Sequence, residues 1–298
     1  MEQQITELFC QIDDFCKAYE SYAQSRYLPT DTNEEVLPKC SMSLSELMTI
    51  TIWFHSSGYR TFKWYYLHYV RTVLKPYFPR QLSYNRFVEL MSSLVAPMTL
   101  YLIHCALGKC SGISFVDSTT LVVCHNRRIH SHKVFAGLAK RGKSSTGWFF
   151  GFKLHLVIND RGEILSFALT PGNAPDCDRK VMAHLTHDLV GRLFGDKGYL
   201  SKALFEELFN RGITLITKLK KNMKNKLMRV DDKLLLRKRA VIESVNDFLK
   251  NICQIEHSRH RSPKNFLVNL LSGLIAYSII PKKPSLHFSH THQLQLPA

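Results

Sequence analysis

Residues 111–121, SGISFVDSTTL, constrain this chain most. A glycine leads into Ile113, Phe115 and Val116, and hydroxyl and β-branched residues follow, a composition that favours a strand running through a core. Asp117 therefore stands on or at the end of a central strand. Taking a carboxylate out of water is costly unless donors or a cation compensate it. Asp117 thus either caps a turn through Ser118 and Thr119 or helps to hold a metal.

A chain of 298 residues, 45% of them hydrophobic, buries a sizeable core and is not a disordered tail. Its formal charge is +16, unevenly spread: residues 1–42 carry eight acids against three bases, so the basic surplus belongs to residues 43–298. Charge on this scale suits a polyanion, because each neutralised phosphate releases counterions. Nucleic acid is the partner to consider first.

The eight cysteines are scattered, with no C-x-x-C pair and no histidines at matching spacing. They read as reduced thiols of a cytoplasmic, nucleoid-associated protein. The most apolar run, 266–280, is interrupted by Asn269, Ser272, Gly273 and Ser278 and is too short to span a bilayer, so no membrane role is expected.

The first part of the chain has helical periodicity. Ile5, Leu8, Phe9, Ile12, Phe15, Cys16 and Tyr19 mark one face of an amphipathic helix, and residues 28–39 read as a linker. Ser43 and Glu46 form a capping box before a helix that stops near Gly58. Residues 62–74 and 84–94 come next as helices, and Pro97 starts or kinks another. Residues 1–108 are thus a helical region suited to DNA binding or to dimerisation.

From residue 111 the period changes. Residues 125–147 hold six Lys or Arg and no acid, and read as a basic loop. Residues 148–159 alternate, with Lys153 and His155 assigned to a polar face, and a turn at 160–162 returns the chain as an antiparallel hairpin. Asp176 or Asp178 caps the next helix; a short strand then ends at Asp196, and a helix and a further strand come after it. Residues 234–254 read as one helix with Val241, Val245, Phe248 and Ile252 opposite Glu243, while Arg239 and Lys250 share the glutamate's face. The pattern is mixed α/β, a sheet flanked by helices behind an all-helical N-terminal region.

Three acids, Asp117, Asp196 and Glu243, stand on separate elements 79 and 47 residues apart. Carboxylates that meet repel one another unless divalent cations lie among them, and two Mg²⁺ (or Mn²⁺) ions fit such an oxygen site and serve phosphodiester chemistry.

The arrangement resembles the DDE transposases of bacterial insertion sequences. The likeness rests on VDSTTL (116–121), GFKLHLVIND (151–160), TPGNAPD (170–176), GDKGY (195–199) and the R-x3-E-x6-K signature at Arg239, Glu243 and Lys250. Leu236 stands where many members have a tyrosine. The resemblance implies a ribonuclease H-like catalytic domain over 109–281, with 282–298 as a tail. It implies metal-dependent cleavage at terminal inverted repeats and transfer of the 3′-OH into target DNA by a homo-oligomer, a dimer, on double-stranded DNA. Asp117, Asp196 and Glu243 would be the catalytic metal ligands. Arg239 and Lys250 would contact phosphates, with Lys197, Tyr199, Arg259, Arg261 and His155 as further DNA contacts. Two other readings keep the fold: a structure-selective nuclease unable to join strands, and a non-catalytic DNA-binding derivative.

Overall fold

The computed structural model describes residues 2–26, 40–145, 147–218, 228–256 and 260–286. The expected linker at 28–39 lies outside them. The chain forms two compact units. One comprises 1–107, 123–138 and 247–280; the other comprises 108–122, 139–246 and the C-terminal residues from 281.

The first unit is helical. Helix α1 (Glu2–Arg26) buries Ile5, Leu8, Ile12 and Cys16, the stripe its periodicity predicts. Helix α2 (Leu44–Phe54) begins at the expected capping box: Ser43 Oγ accepts from Glu46 N, and the Glu46 carboxylate accepts from Ser43 N. Helix α3 (Phe62–Tyr65) runs into a π-turn (Tyr66–Val70), and α4 (Tyr84–Met91) and α5 (Val95–Tyr101) come after it. Helices α4 and α5 belong to a helical stretch, Tyr84–Ala106, long and apolar enough by composition to cross a membrane. Its Phe87, Leu90, Leu94, Met98 and Leu102 are instead buried within the unit.

The C-terminal helix α10 (Pro263–Ile279) also belongs to this unit, not to a contiguous domain over 109–281. Its apolar residues leave no polar face, so it is covered on all sides, packing against α2, α4 and α5. Gly273 allows this closeness: a Cβ there would lie 2.4 Å from Ile255 Cγ2.

The second unit is a six-stranded mixed sheet of order β2-β3-β1-β5-β6, with β4 also on β3. The strands are β1 (Ile113–Cys124), β2 (Lys140–Ser144), β3 (Gly147–Asn159), β4 (Ile164–Pro171), β5 (Gly191–Gly195) and β6 (Ile213–Thr217). Strand β3 is antiparallel to β2 along its first half and to β4 along its second. Strand β5 runs parallel to both β1 and β6. Val116, Val157, Leu193 and Leu215 pack on one face with Met182 and Leu185 of α6 (Arg179–Leu185) and Leu204 and Leu208 of α7 (Lys202–Asn210). Helices α8 (Val230–Arg237) and α9 (Ala240–Asp247) complete the unit, and Arg192 of β5 pairs with Asp232 of α8 at 3.1 Å.

Two sequence expectations change here. Part of the basic loop is strand β2, whose polar composition hides it and whose place at the sheet edge leaves Lys140, Arg141 and Lys143 exposed. The helix expected over 234–254 is broken after Arg237 and ends in a π-turn, Phe248–Ile252. The wider turn shifts the buried phase, so Leu249 is fully buried while Ile252 is 55% exposed.

Candidate active site

Strand pairing explains the spacing of the first two acids. Parallel β1 and β5 pair Ile113 with Arg192, Ser114 with Leu193 and Phe115 with Phe194, a constant offset of 79 residues. Continued by two residues, that register sets Asp117 level with Asp196. Side chains two apart share a face, so the aspartates continue the side on which Phe115 and Phe194 stack, centroids 5.4 Å apart. Adjacent strands lie roughly 4.8 Å apart, so the carboxylates are close neighbours.

Asp117 is largely buried. Its Oδ2 accepts from Asn246 Nδ2 at 3.1 Å, and its Oδ1 lies 3.5 Å from Arg239 Nη1. Burial pushes its pKa up to about 6; Arg239 and the Ser118 N–H oppose the rise, and the charges of Asp196 and Glu243 add to it. Asp196 begins a 3₁₀ turn, and its Oδ1 accepts from Gly198 N at 2.7 Å. Glu243, on α9, is 59% exposed and receives Arg239 Nη2 at 2.7 Å. Arg239 therefore bridges Asp117 and Glu243.

A fourth carboxylate joins them. Asp178, not Asp176, caps α6, accepting from Lys180 N and Val181 N. That leaves Asp176 free to accept from Ser118 Oγ at 2.7 Å and from Lys153 Nζ at 2.9 Å through Oδ1. Its Oδ2 faces Gly198: a Cβ at that glycine would lie 3.5 Å from this oxygen and 2.9 Å from Asp196 Oδ1. Sequence reading offers Asp176 only as a cap; its place inside the TPGNAPD motif is the available signal. Asn246, one turn after Glu243, gives no such signal.

Among the described residues no group of three or more His, Cys, Asp or Glu side chains is gathered tightly enough to hold a metal ion. The donors nonetheless suit one. They are hard oxygens, and Asp117 is a buried carboxylate whose ionised form its neighbours under-compensate, the deficit a divalent cation would fill.

The other expected contacts fall in different places. Lys197 is exposed immediately after Asp196. Tyr199 is 1% exposed, packed in the sheet core near Asp117, Asp176 and Asp196, so it presents no surface to DNA. His155 is likewise corrected: β3 is covered on both faces there, the ring is fully buried, and Nε2 bonds Thr170 Oγ1 at 2.9 Å. Lys250 sits in the π-turn, outside the α-helical register that grouped it with Glu243, and pairs with Glu256 at 3.1 Å. Arg261 is exposed on the helical unit, and Arg259 lies outside the described residues.

Sheet order and acid placement together define a ribonuclease H-like domain with one aspartate inside β1 and another just past the end of its parallel neighbour β5. Residues 107–263, more than half of the chain, match the family described as "Transposase DDE domain". The chain belongs to that family of DDE transposases. Its fold is similar to that of the piggyBac transposase, seen by cryo-EM as a synaptic complex with hairpin DNA. The likeness has a TM-score of 0.50 at 8% identity and covers 92% of this chain and 72% of the other. No curated protein matches the chain.

Proposed function

We propose that this transposase cuts DNA at the terminal inverted repeats of an insertion sequence and transfers the resulting 3′-OH to target DNA, with Asp117, Asp196 and Glu243 as its metal-binding acids. The observation that supports this reading is the 79-residue offset between β1 and β5, which, continued two residues past Phe115 and Phe194, would set Asp117 level with Asp196. Mg²⁺ or Mn²⁺ bound there would supply Lewis-acid activation of the attacking and leaving oxygens. The chain's own groups do the rest. Asn246 fixes one oxygen of Asp117, and Arg239 holds Asp117 and Glu243 in common. Exposed Lys197, with Lys140, Arg141 and Lys143 on the sheet edge, offers cations to DNA phosphates. We propose a dimer as the DNA-bound form.

The test is cleavage in Mg²⁺ of duplexes bearing the sequences that flank the coding region. Asp117→Asn and Asp196→Asn are each expected to lower cleavage at least about a hundredfold with thermal melting and duplex binding retained. Either variant cutting at the wild-type rate would remove the site. Products that are cut but never joined to a plasmid target would make the protein a nuclease instead.

A further inference from the structure

A second concave site lies wholly within the helical unit. It is a cavity of about 720 Å³, inside the roughly 300–1,000 Å³ range of small-ligand pockets. Among the described residues no carboxylate lines it. At its mouth stand Arg60, Lys63 and Arg261, all exposed, and none pairs with an acid among the described residues. Lys63 Nζ lies 6.0 Å from the centre of the Tyr84 ring, and Arg261 is near enough to counter the rise that burial imposes on the Tyr84 hydroxyl.

Two helices begin at this cavity. Helix α4 contributes Tyr84 and Asn85 from its first turn, and α10 contributes Asn265. Ser262, the N-cap of α10, makes no side-chain cap bond, so the positive end of that helix is not answered locally. The buried lining is neutral and mixed, with Phe54 and Met91 beside Thr51, Asn269 and Ser272. His55 is already committed: the Cys253 carbonyl can only accept, so Nδ1 donates to it, and Nε2 faces Ser272 Oγ at 2.8 Å. Asn265 Oδ1 and His260 Nε2 are buried and have no hydrogen-bond partner among the described residues.

We propose that this cavity binds an unpaired nucleotide carrying a terminal phosphate: the phosphate at Arg60, Lys63 and Arg261, the base against Tyr84 with its polar edge toward Asn265 and His260. Cationic rim, aromatic wall and unmet amide and imidazole atoms are the parts such recognition uses. A duplex presents its phosphates on a convex rod and does not enter a recess of this shape, so the ligand is a strand terminus or a free nucleotide. None of its residues belongs to the carboxylate site, and it needs no metal.

The experiment uses the full chain in a chelator. A 3′-fluorescein tetrathymidylate, with or without a 5′-phosphate, is titrated and followed by anisotropy. The 5′-phosphorylated oligomer is expected to bind at least about tenfold tighter than the 5′-hydroxyl form, as charge-assisted phosphate contacts require. The double variant Lys63→Gln, Arg261→Gln changes only exposed side chains and should abolish that preference with unchanged melting. Tyr84→Leu should weaken both oligomers. Asp117→Asn should bind like the wild type, so failure of the metal reading leaves this result intact. Displacement by thymidine 5′-monophosphate identifies free nucleotide as a ligand; its failure to compete identifies a strand end, and either outcome upholds the site. Equal binding with and without the phosphate, an unchanged double variant, or displacement by inorganic phosphate as effective as by the mononucleotide would overturn it.

Discussion

Arg239 shows how one residue fixes the chemistry available to its neighbours. Only 17% of its side chain is exposed, and its guanidinium already faces Asp117 at 3.5 Å and Glu243 at 2.7 Å. A group so enclosed braces carboxylates rather than meeting DNA. Arg239→Ala is therefore expected to lower cleavage by about tenfold or more, as loss of an outer-shell partner does. The slope of log affinity against log salt should stay unchanged; a fall of about one unit would make Arg239 a phosphate contact after all. Asp176 is held differently, by the Lys153 ammonium and the Ser118 hydroxyl, with its second oxygen toward Asp196. Asp176→Asn keeps the volume and removes the charge, so single-turnover cleavage in Mg²⁺ should fall about ten- to a hundredfold while folding is retained. Wild-type cleavage by this variant would reduce Asp176 to a structural tie.

At the scale of elements, the sheet depends on backbone closeness that side-chain patterns do not reveal. A Cβ on Gly151 of β3 would lie 2.0 Å from the Leu121 carbonyl oxygen of β1, and neither backbone yields without disrupting the sheet. Gly151→Ala is expected to destabilise the protein by about 1–3 kcal/mol or more, read as a lower melting temperature; a wild-type melting point would show that the strands separate freely. Legibility in the sequence divides the same way. Strand β1 and its aspartate are legible because β-branched and aromatic residues cluster there, and α2 because its capping box is a local interaction. Strand β2 is not, since KRGKS owes its state to pairing with β3. His155 looks exposed because alternation implies one wet face, whereas β3 is buried on both. The face shared by Glu243 and Lys250 fails because a π-turn changes the residue count per turn, which no 100° projection anticipates.

At the scale of the whole molecule, segments far apart in sequence complete each unit. The helical unit takes its core helix from the C-terminal end of the chain, a non-local choice invisible to periodicity. Buried within the two units are histidines that must stay neutral. Burial holds His55, His155 and His260 down to about 4, against an ordinary value of 6.5. Between those values the unfolded chain takes up protons that the folded chain refuses, so their contribution is intact above about pH 6.5 and is lost as pH falls toward 4. A gap of about 2.5 units amounts to roughly 3 kcal/mol for each histidine at the acid end. Asp117 works in the opposite sense: raised to about 6 from 3.8, it protonates first in the folded state and adds stability over much of the same range. Three groups outweigh one, so the metal-free protein should lose stability between pH 7 and pH 5. The midpoint of urea unfolding is expected to fall over that interval, and Asp117→Asn, which removes the opposing carboxylate, should steepen the fall. A midpoint that holds steady or rises toward pH 5 would mean that these imidazoles take up protons without unfolding the units around them.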